Sequence, residues 1–303
     1  MVSSFRGVVD RLEGQVVVHS VSDPNALTQL VGWYRFKSGG GKVVLRGQSN
    51  VFTEMLSSGY RVTSVDNLNR RANELVTNVF GKGCVCAGKA SQYAHQHECL
   101  ERVPQKGSAD FHENALVAST YRAVVEPLLQ HYGVSTRWLD VVDNVWIALW
   151  FACHEQVSRD EFAFHFRRST VQEGPDAKAY IAVLDTGPLT STHIPGYEIN
   201  SEVRLVDLRY AVPSVFLRPH AQHGLLVAPR ASKVGLVSLL PKVVAYIEVG
   251  LADALDWLGS GAMLSTFVLF PPAVMDEGYR RLVDSQPIIP KVLGHLTLFG
   301  PGY

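Results

Sequence analysis

The chain has no surplus of either charge: 28 Lys and Arg stand against 28 Asp and Glu in 303 residues, so the formal net charge is zero. A general nucleic-acid coat carries a basic excess, and none is present. Nor is there a window near the ~18 to 20 uninterrupted apolar residues of a membrane span, and the opening MVSSFRGVVDRLEG sets charges where a signal peptide keeps apolar side chains. These absences predict a cytoplasmic protein with no membrane partner. Cysteine is scarce. The four, Cys84, Cys86, Cys99 and Cys153, read as thiols or ligands before they read as disulfides. Internal repeats and low-complexity tracts are missing. The Gly-Lys pairs at 41–42, 81–82 and 88–89 lack the G-x-x-x-x-G-K-[ST] frame of a P-loop.

What is present is core material, 47% hydrophobic residues, enough for one large domain or two ordinary ones. Asp23-Pro24 reads as a cap followed by a proline at the first helical position, and Leu27, Leu30, Val31 and Tyr34 recur at helical spacing. Ser38-Gly39-Gly40-Gly41 ends that helix and leads into the strand-like Lys42 to Arg46. Amphipathic helices are predicted from Val65 to Phe80 and from Phe111 to Leu129, with Pro127 as a kink in the second. An irregular link, 131–144, precedes Val145 to Ala152, which is apolar on nearly every side and so predicts a core helix capped by Asp143 or Asn144. Ala179–Leu184, Val203–Leu208, Gly224–Val227 and Val243–Val249 read as strands, and 252–258 and 276–285 as helices. Helices first and strands later predict an α+β fold.

Three segments are more specific than any spacing. They are Val44-Leu45-Arg46-Gly47-Gln48; Leu129-Gln130-His131-Tyr132-Gly133-Val134-Ser135-Thr136-Arg137-Trp138-Leu139-Asp140, which runs on to Ala148–Ala152; and Arg218-Pro219-His220-Ala221-Gln222-His223-Gly224. In this order they resemble the FRG domain family, named for a Phe/Tyr-Arg-Gly signature. Leu255 to Gly259 and Leu269-Phe270-Pro271 resemble its closing elements, so the resemblance spans roughly Leu27 to Val283. Leu45 replaces the usual aromatic residue and Trp138 the usual Leu, both keeping bulky apolar side chains. The resemblance implies a single FRG-like domain over 1–303, with a core at about 27–284, an insertion at about 81–108 and a short C-terminal extension.

The family in turn resembles ADP-ribosyltransferases, which implies a mixed or antiparallel sheet core with flanking helices. It also implies NAD as co-substrate, a macromolecular acceptor of protein or nucleic acid, and a toxin or antiphage effector role with a cognate antitoxin. On that reading Arg46, Thr136 and Gln222 are the catalytic residues. Arg46, His131, Tyr132, Thr136, Arg137 and Arg218 bind the dinucleotide. Breaking the nicotinamide glycosidic bond passes through an oxocarbenium-like state, which calls for arginines on the pyrophosphate and a carboxylate near the ribose. Transferases of this class carry Glu at the late position, whereas Gln222 cannot act as a base. Asp140, Glu198 and Glu202 are the substitutes. A module that binds a nucleotide or nucleic acid without turnover is the competing expectation.

Physically, Arg46 ends a buried strand and needs a carboxylate or phosphate partner; an internal ion pair with Asp140 and a bound ligand are the alternatives. Arg218, His220 and Gln222 alternate, so an extended segment would turn all three to one side, while Pro219 fits a surface loop equally. In the insertion, Cys84, Cys86, His95, His97 and Cys99 are soft-metal ligands whose spacing departs from the usual zinc pattern. A polar loop with incidental thiols is therefore expected over a zinc site.

Overall fold

The computed structural model describes residues 7–13, 16–62, 122–159, 162–230, 238–259, 261, 263–284 and 298–299. The helix expected at 65–80, the first part of that expected at 111–129, and the Cys/His cluster at 84–99 lie outside them.

The helix Pro24–Lys37 forms as its signals require: Asp23 accepts from the backbone N–H of Asn25 and Ala26, and Leu27, Leu30, Val31 and Tyr34 face the core. Thirteen strands are described: β1 (Val8–Glu13), β2 (Val16–Val21), β3 (Val43–Gln48), β4 (Leu139–Val142), β5 (His154–Arg159), β6 (Phe162–Arg167), β7 (Lys178–Asp185), β8 (Thr190–Ser191), β9 (Tyr197–Ile199), β10 (Val203–Asp207), β11 (Gly224–Pro229), β12 (Val243–Gly250) and β13 (Leu298–Phe299). Ten of them make one sheet in the order β1-β2-β12-β7-β3-β4-β11-β10-β9-β8, and β13-β6-β5 make a second. In the large sheet the pairings are antiparallel except β2 with β12. This is the α+β fold with a mixed sheet core and flanking helices.

Period-2 alternation sorts the strand residues onto two faces. Leu45, Ile181, Val183 and Ile247 pack with Leu27, Leu30, Ala148 and Trp150 of the helices Pro24–Lys37 and Val145–Ala152. Val44, Leu184, Leu205, Leu225 and Val227 form the opposite layer. A third cluster sets Leu128 and Tyr132 against Val206, Leu226, Phe216 and Tyr279. The sheet is thus continuous but covered by two separate groups of helices.

One joint in it is weak. β3 and β4 pair at a single position, Leu45 with Val142, whereas β3 pairs with β7 over six positions, from Val43 with Asp185 to Gln48 with Tyr180. Beyond that position Arg46 and Asp140 face a gap in the ladder. Arg46 Nη1 spans it, donating to the Asp140 carbonyl at 2.6 Å and so supplying a donor where β3 offers none.

Two expectations need correction. The 131–144 link is not irregular throughout, because Leu139–Val142 is a strand held by β11. The segment Arg218–Gln222 is not extended: Leu217–Ala221 is a short helix with Gln222 at its C-terminal boundary. Arg218 and Gln222 therefore share a buried side by four-residue spacing, while His220 turns to solvent.

Candidate functional site

The gap between β3 and β4 opens into a cleft of two lobes, about 790 and 420 Å³, within the range of small-molecule sites. Arg46, Gly47, Phe151, His154 and Gln156 line both, so Arg46 stands at the neck. The outer lobe adds Gln48, Phe52, Arg61 and Arg168; the inner lobe adds His131, Ser135, Asp140, His165, Gln222 and Phe270.

The Arg-Gly-Gln strand end explains itself locally. Arg46 turns into the cleft. At Gly47 an added Cβ would lie 1.8 Å from the Ala148 carbonyl oxygen, so glycine is what lets the helix Val145–Ala152 rest directly on β3. Gln48 is buried and donates from Nε2 to the Asn50 carbonyl at 2.6 Å. The helix itself starts at Asn144, which accepts from the N–H of Trp146 and Ile147 and decides the cap in its favour over Asp143. Asp143 instead pairs with Arg209 at 2.6 Å on another face.

Burial lowers the Arg46 pKa, the nearby Asp140 charge opposes that effect, and Arg61 adds to it. Of the two alternatives for Arg46, the ion pair with Asp140 does not form as drawn, since the guanidinium bonds the main-chain carbonyl. The Asp140 carboxylate is held otherwise: Oδ2 accepts from Gln130 Nε2 at 2.9 Å, and Oδ1 lies 3.2 Å from His131 Nδ1. Burial would raise its pKa, but the hydrogen bond and charge of His131, the Gln130 hydrogen bond and Arg46 outweigh it, and the group titrates below its ordinary value. The side chain keeps 38% of its surface open to the cleft. Among the described residues it is the only carboxylate lining the inner lobe. Glu198 and Glu202, the other two candidates, line neither lobe and pair with Lys42 at 2.6 Å and Lys242 at 2.5 Å.

The structure brings Arg46, His131 and Gln222 to one cleft. Gln222, 4% exposed, donates from Nε2 to the Leu269 carbonyl at 2.7 Å. Thr136 is not with them: its hydroxyl donates to Gln130 Oε1 at 2.9 Å and accepts from the Trp138 N–H, tightening the turn that leads to β4. Arg137 grips Glu126 through Nε and Nη2, the latter at 2.6 Å. Tyr132 donates to Asp276 at 2.6 Å in the core and stacks on Tyr279. Arg218, fully buried, lies beside both rings, 4.2 and 4.6 Å from their centroids. None of these four side chains lines either lobe.

Sequence reasoning passed over Phe151, His154, His165, Arg61 and Arg168 as site residues. His154 and His165 sit on the β5–β6 hairpin, where His154 stacks on Trp150 at 3.8 Å and His165 on Phe270 at 4.2 Å. Phe151 was visible as part of the apolar helix but carried no polar signal.

Mixed α+β architecture with an arginine at a break in the sheet is what the fold and the cleft define. Residues 41–161 match the FRG domain family. The match takes in the Arg-Gly-Gln strand end and the His131 to Asp140 segment and stops before β6, β7 and the Arg218–Gly224 segment. No curated protein and no solved structure matches the chain. No described helix is long and apolar enough to cross a membrane.

Proposed function

We propose that this protein binds NAD in the two-lobed cleft, cleaves the nicotinamide glycosidic bond and transfers ADP-ribose to a macromolecular acceptor, as an effector of the toxin or antiphage type. The observation that carries the reading is Arg46. Its guanidinium is half-buried at the neck of the cleft, its one hydrogen bond goes to a carbonyl, and a second guanidinium, Arg61, raises the positive potential of the same space. A half-buried cation without a carboxylate bonded to it favours an anionic ligand, and the planar fork suits a pyrophosphate. With the pyrophosphate at the neck, one lobe is left for each nucleoside. Gln222 and Asp140 then belong to the ribose in the inner lobe, and Phe151 offers a ring to either side.

Gln222, standing where transferases of this class carry Glu, favours a second reading: a nucleotide-binding module without turnover. Calorimetry with NAD, paired with a nicotinamide-release assay, separates the two. Transfer predicts binding and release, with label from NAD retained on a macromolecular fraction of cell extract. Arg46→Ala is expected to weaken NAD affinity at least about 30-fold, the scale of a charge-assisted hydrogen bond, while circular dichroism stays unchanged. Unchanged affinity, or simple unfolding of the variant, would make Arg46 a structural residue and remove the basis of the proposal. Binding without release would leave the non-catalytic module.

A further inference from the structure

The transferase reading leaves its carboxylate unassigned, and the inference drawn here rests on that reading. We propose that Asp140 is the catalytic carboxylate of the reaction, and that His131 is the positioning residue that holds it.

Geometry selects Asp140 in three ways. It is the one carboxylate among the described residues that lines the inner lobe, and its side chain keeps an open face to that cavity. Its two oxygens are each fixed by one donor, Gln130 Nε2 and His131 Nδ1, so each retains lone-pair capacity for a substrate. It also stands across the β3–β4 gap from Arg46, beside the proposed pyrophosphate position. His131 itself is excluded as the base. Its Nε2 is buried without a partner, and the ring edge lies against Gly224, where an added Cβ would be 2.6 Å from Cε1 and 2.8 Å from Nε2. That edge is sealed from the cavity, and only Nδ1, spent on Asp140, does chemical work.

The step balances without a further reagent. The bond from ribose C1 to nicotinamide nitrogen breaks with its electron pair on nitrogen, releasing neutral nicotinamide. Positive charge grows at C1 and is stabilised by the Asp140 carboxylate, which binds the transition state more strongly than the ground state. An acceptor oxygen bonds C1, its proton passes to Asp140, and Asp140 returns that proton to water. Protonation of Asp140 in solution is opposed by the hydrogen bonds of His131 and Gln130 and the charges of His131 and Arg46, while His154 and His165, which also line the lobe, have burial acting against a charge of their own.

The test measures nicotinamide release and NAD affinity in the full-length protein. Asp140→Asn is expected to lower release at least about 100-fold while NAD affinity changes less than about threefold. His131→Ala is expected to lower release about tenfold or more, and His131→Asn, whose amide can donate from nearly the place of Nδ1, to recover most of it. Recovery by a donor alone is what a merely space-filling histidine would not give. Glu198→Gln, in the ion pair with Lys42, is expected to leave release unchanged. If Asp140→Asn fails to fold, the two His131 variants decide: equal rates in both overturn the assignment. Wild-type turnover with an equally active Asp140→Asn overturns it and leaves the transferase reading intact. Wild-type binding without any release overturns both.

Discussion

Burial pushes the His165 imidazole down from the ordinary 6.5 to about 3, and the charges of His154 and Arg218 push the same way. Folding therefore holds this ring neutral over a range in which the unfolded chain would protonate it. The sign follows from linkage: between about pH 6.5 and 3 the unfolded state binds the additional proton, so stability rises with pH across that window and drains as pH falls through it. One proton corresponds to a slope of about 1.4 kcal/mol per pH unit. We expect His165→Gln to flatten the acid limb of the stability curve by about that slope between pH 6 and 4, measured by urea denaturation at a series of pH values. An unchanged limb would mean that the ring takes up its proton without unfolding, and that the wall of the inner lobe formed by His165 and Phe270 admits water.

At the scale of elements, the decisive contact is the helix Val145–Ala152 lying on β3. Gly47 makes it possible, because a Cβ there would also come within 2.7 Å of the Ala152 nitrogen, a backbone atom with no rotamer by which to yield. Gly47→Ala is expected to cost about 3 kcal/mol in chemical denaturation, at the upper end of overpacking. A loss under about 1 kcal/mol would show that the helix can slide, and the position of Phe151 in the cleft would slide with it. Elements whose signals are local were legible in the sequence: Asp23-Pro24 with its helical repeat, the apolar helix after Asn144, and the runs that became β7, β10, β11 and β12. The helix Leu217–Ala221 was not, because Pro219 reads as a breaker. It falls in the first turn, where the missing N–H has no intrahelical acceptor to lose. β4 was missed since four residues carry little periodicity and β11, 80 or so positions on, decides their pairing. The site was half legible for a related reason. Motif residues could be recognised, but whether a polar side chain faces a cleft depends on its partner, and Glu126 for Arg137, Gln130 for Thr136 and Asp276 for Tyr132 are assigned only by folding.

For the whole molecule, the stretch that matches the FRG family and the unit that folds are different lengths of chain. β3 lies between β7 and β4, and β4 between β3 and β11, so both motif-bearing strands draw ladder partners from outside 41–161. A fragment of residues 41–161 is expected to lack cooperative unfolding and a dispersed amide spectrum, with two of its strands reduced to unpaired edges. A folded fragment would instead mean that β3 and β4 find each other without β7 and β11. The same division runs through the cleft, since Arg46 and Asp140 come from the matched stretch while Gln222, His165 and Phe270 come from beyond it. The place of Arg46 in the lining of both lobes has a consequence for inhibitor chemistry. Two weak fragments, one seated in each lobe, would meet across a single guanidinium, and a short tether between them would make the second capture intramolecular. Effective concentration, with no new contact, is then worth about 10² to 10⁴ in avidity. A tether bearing one anionic group at its midpoint would be held by the residue it has to pass.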